Sequence, residues 1–225
     1  MDVSALANVP LFADLPEEDL QALRAMMHET SLRRGENLFH EGDPGDRLYI
    51  LQDGKIKLGH TSLDGREKLI AVLGPGEIVG ELTLFDPGPR STTASAVAPT
   101  HLLVLEHTAL MAFIDERPTL AKLMLRALAQ RLRKTNVQLA DLVFSDVPGR
   151  VAKALLDLAD QFGSPTEDGM HVPHDLTQEE LAQLVGASRE TVNKSLAEFV
   201  SRGWIRLEGR AVTLLDIERL VRRAR

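Results

Sequence analysis

The chain has 225 residues, 44% of them hydrophobic and 26% charged, with no cysteine and a formal net charge of −7. This is the balance of an ordinary globular protein, long enough for one large domain or two modest ones. The missing thiols exclude disulfides, thiolate-held zinc and cysteine-held iron–sulfur clusters; no apolar run nears the roughly 20 residues that cross a bilayer; and Met1-Asp2-Val3-Ser4 begins no secretory signal, so a cytoplasmic protein with no membrane partner is expected.

A short amphipathic helix is predicted at about Pro16 to Met27. Beyond it, glycines from Gly35 to Gly88 punctuate short apolar runs. Leu48-Tyr49-Ile50-Leu51 leads to Asp53-Gly54, after which Ile56 and Leu58 alternate with lysines. Asp-Gly between alternating runs predicts a hairpin, because both residues tolerate positive φ. Asp64-Gly65 predicts a second. Many short strands at this spacing predict an antiparallel sandwich or barrel running to about Leu105. Gly74-Pro75-Gly76 with Gly80 is not a dinucleotide fingerprint, since the spacing before the last glycine is wrong and no βαβ unit surrounds it.

Gly80-Glu81-Leu82-Thr83-Leu84-Phe85, followed by Arg90-Ser91, is the sharpest motif of this segment. A cyclic nucleotide offers one phosphate charge, a ribose 2′-hydroxyl and a base. Glu81 can accept a hydrogen bond from the hydroxyl, Arg90 can pair with the phosphate, and Ser91 adds a neutral donor. Gly80 lets the backbone approach closely. By residue type alone, a surface ion pair accounts for Glu81 and Arg90 equally well.

A long helix is predicted from Pro118, which suits a first helical position, to Phe144. Leu125, Leu128, Leu132, Thr135, Leu139 and Leu142 recur at alternating steps of three and four. That heptad seam predicts a coiled-coil pair and hence a homodimer, although a helix packed on its own domain has the same period. Thr135, with Asn136 beside it, interrupts the leucines, as a polar residue that fixes register can. Pro148-Gly149, within Asp146 to Arg150, reads as a hinge or turn. A helix from Val151 to Phe162 and a polar loop from Gly163 to Gly169 follow.

Thr177-Gln178-Glu179-Glu180 has the form of a capping box and opens a helix whose apolar face is Leu181, Leu184 and Val185. Gly186 ends it, and Ser188 can cap a second helix from Arg189 to about Ser201. Val192, Leu196, Phe199 and Val200 fall on its inner face, so Arg189, Glu190, Asn193 and Lys194 point outward. Two helices joined by a short glycine-containing turn make a helix-turn-helix, whose second helix reaches base edges in double-stranded DNA. Arg grips guanine and Glu accepts from cytosine. Trp204 to Leu207, the Gly209 turn and Ala211 to Leu214 predict a wing with Arg210 near phosphate. The acid excess is uneven in a way that fits: from Ala187 to Arg225 nine Lys/Arg meet five Asp/Glu. A helical hairpin with a solvated charged face is the plainer alternative.

Gly186-Ala187-Ser188-Arg189-Glu190-Thr191-Val192, preceded by Leu176-Thr177-Gln178-Glu179-Glu180-Leu181-Ala182, closely resembles the recognition element of the Crp/Fnr regulators. Gly80-Glu81-Leu82 with Arg90-Ser91, framed by Gly42-Asp43, Leu48-Tyr49 and Asp53-Gly54, is similar to the phosphate-binding cassette of cyclic-nucleotide-binding domains. The spacer Asp86-Pro87-Gly88-Pro89 is one residue shorter than in the enterobacterial catabolite activator and resembles the actinobacterial, GlxR-type branch. The likeness covers nearly the whole chain, weakening in the first thirty residues and at Gly163 to Gly169.

The resemblance implies an α+β chain in three parts. A cyclic-nucleotide-binding, jelly-roll-like β-roll occupies 1–117, a dimerisation helix 118–145 and a winged helix-turn-helix 146–225. It implies cyclic AMP as allosteric ligand, with Gly80, Glu81, Leu82, Arg90 and Ser91 around ribose and phosphate. Thr135 from one subunit and Asn136 from the other would meet the base; Asn replaces the commoner Ser. It also implies a homodimer on a TGTGA-N6-TCACA-like palindrome, contacted through Thr177, Ser188, Arg189, Glu190, Thr191, Lys194 and Arg210. Lys194 stands where close members carry Arg, which keeps the charge and loses the bidentate fork. RNA polymerase is the expected protein partner. The alternatives are a Crp/Fnr regulator that needs no nucleotide or answers to cyclic GMP or haem, and a cyclic-nucleotide regulatory subunit of an enzyme. No catalytic constellation can be assembled. The seven histidines, His171 and His174 flanking Pro173 among them, form no persuasive metal site.

Overall fold

The computed structural model describes residues 4–7, 9, 12, 15–61, 67–86 and 88–224. The chain divides into two compact units, Met1–His60 with Ala71–Lys134 and Thr61–Ile70 with Thr135–Arg225. The first carries α1 (Ser4–Ala7), α2 (Glu17–Ala25), β1 (His28–Leu32), β2 (Asn37–Phe39), β3 (Arg47–Asp53), β4 (Ile56–Thr61) up to His60, the end of β5 (Glu67–Leu73) from Ala71, β6 (Ile78–Val79), α3 (Leu82–Phe85), β7 (Thr93–Ala96), β8 (Thr100–Glu106), α4 (His107–Glu116) and the start of α5 (Pro118–Phe144). The strands form two four-stranded sheets, ordered β1-β8-β3-β6 and β2-β7-β4-β5.

The period-two alternation of β3 and β8 explains how one sheet serves two cores. Leu48 and Ile50 of β3, with Leu103 and Leu105 of β8, face α1, α2 and α4 in one cluster around Phe12, Leu23 and Phe113. Leu51 and Leu102 face the second sheet and pack with Phe39, Ile56, Leu58 and Ala94. The unbroken run Leu102 to Leu105 is therefore buried on both faces, at 2% exposure or less.

Asp53-Gly54 does not form the hairpin expected from its sequence. β3 pairs with β6 and β8, whereas β4 pairs with β7. The chain crosses from one sheet to the other at Gly54, whose φ is +86°. A Cβ there would lie 2.3 Å from the Pro99 carbonyl oxygen and 2.5 Å from Thr100 Oγ1. Asp-Gly supplies the positive φ of any tight corner; which strands then pair is settled by distant partners. Asp64-Gly65 lies outside the described residues, and its flanking strands β4 and β5 are neighbours in one sheet.

α5 spans Pro118–Phe144, the predicted extent, and the boundary between the units falls within it. On the predicted seam Leu125 is 67% and Leu132 62% exposed. Thr135 and Asn136 are exposed as well, while the side chains of Leu139 and Leu142 lie outside the described set.

The second unit holds α6 (Val147–Phe162), β9 (Ser164–Thr166), β10 (Gly169–Val172), α7 (Gln178–Val185), α8 (Arg189–Ser201), β11 (Ile205–Glu208), β12 (Ala211–Leu214) and α9 (Ile217–Arg223), with its sheet ordered β11-β12-β10-β9. Three expectations need correction here. Pro148-Gly149 is no hinge or turn: both residues lie in the first turn of α6, capped by Asp146, whose side chain accepts from the Gly149 amide. Proline costs a helix nothing at its first positions, where the amide has no partner anyway. Gly163 to Gly169 is no loop but the β9–β10 hairpin, turning at Glu167-Asp168 before Gly169. Val200 is 42% exposed, and Ser195, 3% exposed, takes an inner place on α8. Ser195 can do so because its hydroxyl donates back to the Thr191 carbonyl at 3.0 Å.

Gly54→Ala should destabilise the protein by about 2 kcal/mol or more, since it adds a steric clash to a left-handed strain. Gly35, with φ +83° and nothing within 4 Å of a built Cβ, is the control. Gly35→Ala should cost about 1 kcal/mol. Denaturant unfolding of the two variants measures the difference.

Candidate functional site

Arg90 is 4% exposed, yet its guanidinium meets only neutral acceptors among the described residues. Nη1 donates to the Gly80 carbonyl at 3.0 Å and to Thr83 Oγ1 at 3.1 Å, and Nη2 donates to the Arg47 carbonyl at 2.7 Å. Its Nε is buried without a hydrogen-bond partner. The cation lies over the Phe39 ring, 4.4 Å from the centroid, with Tyr49 at 5.9 Å. The residue is fixed by its own backbone, which donates to the Asp43 carbonyl at 2.8 Å and accepts from the Gly42 amide at 2.8 Å. Gly80 makes room: its φ is +86°, and a Cβ would fall 2.4 Å from Arg90 Nη1.

Burial pulls the Arg90 guanidinium below its ordinary value, and Tyr49, Asp46, Glu81 and Asp43 act against that pull from longer range. Burial likewise pushes the Tyr49 phenol up. Arginine does not deprotonate in a protein, so the charge remains and lacks a bonded counter-ion. A buried cation held by neutral oxygens is suited to receive an anion. Glu81, 8% exposed, immediately precedes α3 without a side-chain capping bond, while Leu82 is 52% exposed. Ser91 is exposed. Glu81, Gly80 and Arg90 are thus brought together in one unit, and Thr135 and Asn136 stand on α5 in the other.

The helix-turn-helix is built as its sequence predicts. Thr177 caps α7 in a full capping box: Thr177 Oγ1 accepts from the Glu180 amide at 3.1 Å, and Glu180 Oε2 accepts from the Thr177 amide at 2.7 Å. α7 ends at left-handed Gly186. Ser188 caps α8, its Oγ accepting from the Thr191 amide at 3.2 Å and lying 2.8 Å from Thr191 Oγ1. Val192, Leu196 and Phe199 are buried. Arg189, Glu190, Thr191 and Lys194 are exposed together at the start of α8. Glu190 pairs with Lys194 at 2.8 Å, both more than 70% exposed. Asn193 is only half-buried outward: its Oδ1 is enclosed without a partner, so the expectation that it points to solvent with the others does not hold. The wing is the β11–β12 hairpin, turning at Gly209 and an exposed Arg210.

Sequence reasoning missed the side chains that hold this element. Arg150 on α6 donates to the carbonyls of Val185 at 3.0 Å, Gly186 at 3.3 Å and Ser145 at 2.7 Å. It ties the helix-turn-helix turn to Ser145, between α5 and the Asp146 cap of α6, and no local pattern marks it. Arg223 of α9 pairs with Asp146 at 2.6 Å. Phe199 stacks on Trp204 with centroids 5.4 Å apart. Among the described residues no group of three or more His, Asp or Glu could hold a metal, and no helix is long and apolar enough to cross a membrane.

Residues 29–117 match the cyclic nucleotide-binding domain family and residues 149–223 the Crp-like helix-turn-helix domain family. Over 220 residues, 98% of both chains, the protein is 51% identical to a CRP-like cAMP-activated global transcriptional regulator of Mycobacterium tuberculosis. The chain belongs to the Crp/Fnr family of transcriptional regulators. This Crp/Fnr regulator is also 37% identical over 198 residues, 88% of each chain, to a cyclic AMP receptor protein of Thermus thermophilus. Among solved structures it is similar to the Thermus thermophilus catabolite activator protein, at 36% identity and TM-score 0.55 over 96% of this chain and 98% of that one. A c-di-GMP responsive global regulator of Xanthomonas campestris matches at 25% identity and TM-score 0.75 over 88% and 99%. As a Crp/Fnr member the protein is a DNA-binding transcriptional regulator and not an enzyme.

The Arg223 guanidinium, and then the Gly149 amide, hold the Asp146 carboxyl below its usual range. A folded-state value below the unfolded one stabilises the fold above about pH 4, and that gain is lost as pH falls through the folded value. Asp146→Asn keeps a capping oxygen and removes the ion pair. Thermal unfolding should show the wild type more stable than the variant near neutral pH, with the gap closing at about pH 3 and below.

Proposed function

We propose that the protein is a cyclic-AMP-responsive regulator that acts as a homodimer through the 118–145 helix on a TGTGA-N6-TCACA-like palindrome. In this reading residues 1–117 bind the nucleotide and residues 146–225 bind DNA, in the cytoplasm, where RNA polymerase is the partner. The buried Arg90, charged and met only by neutral oxygens, carries the reading. A monoanionic cyclic phosphate supplies the missing counter-charge, and Glu81 accepts from the ribose hydroxyl. Ser91 adds a donor, and Gly80 and Leu82 border the ligand.

Thr135 and Asn136, from opposite subunits, meet the base; Asn offers both a donor and an acceptor to adenine. The exposed leucines of the α5 seam are the surface a second copy covers. Ligand bound at that seam favours one geometry of the helix pair and so sets the separation of the two α8 helices. It can do so only by binding the two states with different affinity. Arg189 and Glu190 read base edges from the start of α8. Thr177, Ser188, Thr191, Lys194 and Arg210 surround them at the phosphates.

The relatives named for cyclic AMP are the more similar in sequence, while the Xanthomonas structure is named for c-di-GMP. Cyclic GMP and c-di-GMP are therefore the competing effectors. Operator binding is followed by fluorescence anisotropy on a TGTGA-N6-TCACA duplex, with cyclic AMP, cyclic GMP or c-di-GMP titrated in. Cyclic AMP should tighten binding at the lowest concentration. Arg90→Ala, checked for folding by circular dichroism, should lose that response and keep basal DNA binding. An unchanged response in Arg90→Ala rejects the phosphate assignment. Arg189→Ala should cost about 1–3 kcal/mol of operator affinity and relax discrimination at one base pair.

A further inference from the structure

We propose that Arg206 is a second phosphate-binding cation of the wing, that Glu208 and Asp168 hold it off the DNA, and that Glu208 thereby sets the affinity of the wing. The proposal rests on the reading of the wing as a DNA contact.

Side chains alternate along β11, so Ile205 and Leu207 share one face and Arg206 and Glu208 the other. Arg206 lies opposite Thr213 of β12, and Thr213 opposite His171 of β10. These three form a row across the sheet, with Glu208 one pleat nearer the Gly209-Arg210 turn. The Arg206 guanidinium is divided between two carboxylates: Nε donates to Glu208 Oε1 at 2.8 Å and Nη1 to Asp168 Oδ2 at 3.1 Å. The Glu208 carboxylate is held from three sides. Oε1 also accepts from Thr213 Oγ1 at 3.1 Å, and Oε2 lies 3.4 Å from His171 Nδ1.

Two features make this face more than a stabilising network. First, its charge runs the wrong way for a DNA contact. With His171 neutral, one cation stands against two carboxylates, and Glu208, paired across the hairpin with Ala211, flanks the tip that carries Arg210. A duplex approaching Arg210 therefore meets Glu208 as well, and DNA carries one negative charge per roughly 1.7 Å of axis. Secondly, the pairs are exchangeable. Arg206 is 49% exposed, Asp168 63% and Glu208 36%. Ion pairs in water at that exposure hold weakly, and a phosphate can take the guanidinium in place of a carboxylate. To take Arg206, however, a phosphate must displace two carboxylates at once, so the guanidinium stays with its neighbours until one of them is neutralised.

The test uses the full-length protein with saturating cyclic AMP, the palindromic duplex, a scrambled duplex of equal length and a series of salt concentrations. Glu208→Gln should bind both duplexes more tightly, by about 3- to 10-fold at low salt, and steepen the slope of log affinity against log salt by about one per wing. Asp168→Asn should act in the same direction. Arg206→Ala should leave the wild-type slope unchanged but abolish the gain when combined with Glu208→Gln, a coupling that a purely structural network would not produce. The proposal is overturned if Glu208→Gln binds no tighter, or if Arg206→Ala alone flattens the wild-type slope by about one. A wild type that prefers the palindrome while Glu208→Gln changes nothing defeats this proposal alone. A wild type that retains neither duplex defeats the DNA reading with it.

Discussion

The N-terminal unit is organised around a charge that cannot leave and is not neutralised. Arg90 is buried, and moving a cation out of water costs several kcal/mol even after relaxation. Three neutral oxygens and the face of Phe39 offset part of that cost. Each comes from a different place in the chain: the Gly80 carbonyl after β6, Thr83 on α3, the Arg47 carbonyl at the start of β3, and Phe39 on β2. Two sheets and the turn at Gly80 must be in register for the guanidinium to be met at all. Glycine suits position 80, because φ is +86° there and a Cβ would press on Arg90 Nη1. The same arrangement that makes the arginine tolerable leaves it short of an anion, and the binding reading follows from that shortfall.

The C-terminal unit solves a different problem, which is to present exposed charges from a rigid helix. α8 is held at its start by Ser188 and through its length by Val192, Ser195, Leu196 and Phe199. The turn before it is fixed from outside, since Arg150 takes up the carbonyls at the end of α7 that a helix leaves unsatisfied. Asp146 joins the same frame twice, as cap of α6 and as partner of Arg223. None of this consumes Arg189, which makes no described ion pair, and the Glu190–Lys194 pair lies in solvent, where such a pair holds weakly. Rigidity is supplied by groups facing inward or sideways, and recognition is left to those facing out.

The two units thus manage charge in opposite senses. In the first a cation is enclosed and met by neutral oxygens. In the second, cations are exposed and partly masked by carboxylates, at Lys194 by Glu190 and at Arg206 by Glu208 and Asp168. Masking limits how strongly a basic surface holds any polyanion irrespective of sequence. A chain of net charge −7 presents a DNA-binding end because the charge is uneven, with nine Lys/Arg against five Asp/Glu from Ala187 to Arg225.

Local chemistry was legible in the residues alone. The capping box at Thr177, the Ser188 cap and the β11–β12 wing each depend on residues within about ten positions of one another, the extent of α5 depends on a pattern sustained along one segment, and each is present as read; Gly80 and Arg90, ten positions apart, meet in the fold. The pairing of distant segments was not legible. Asp53-Gly54 announces a corner, but only the distant partners of β3 and β4, which are β8 and β7, determine that the corner joins two sheets. Gly163 to Gly169 is polar enough to pass for a loop, and β12 makes the β9–β10 hairpin a sheet edge by lending β10 a row of backbone partners. Arg150 carries no motif because its acceptors are backbone carbonyls, two of them 35 and 36 residues away, and every residue possesses one. Periodicity and caps are properties of a segment and can be read along it. Pairing, burial and the counter-charge of an arginine are properties of a neighbourhood, and only the folded chain assembles that.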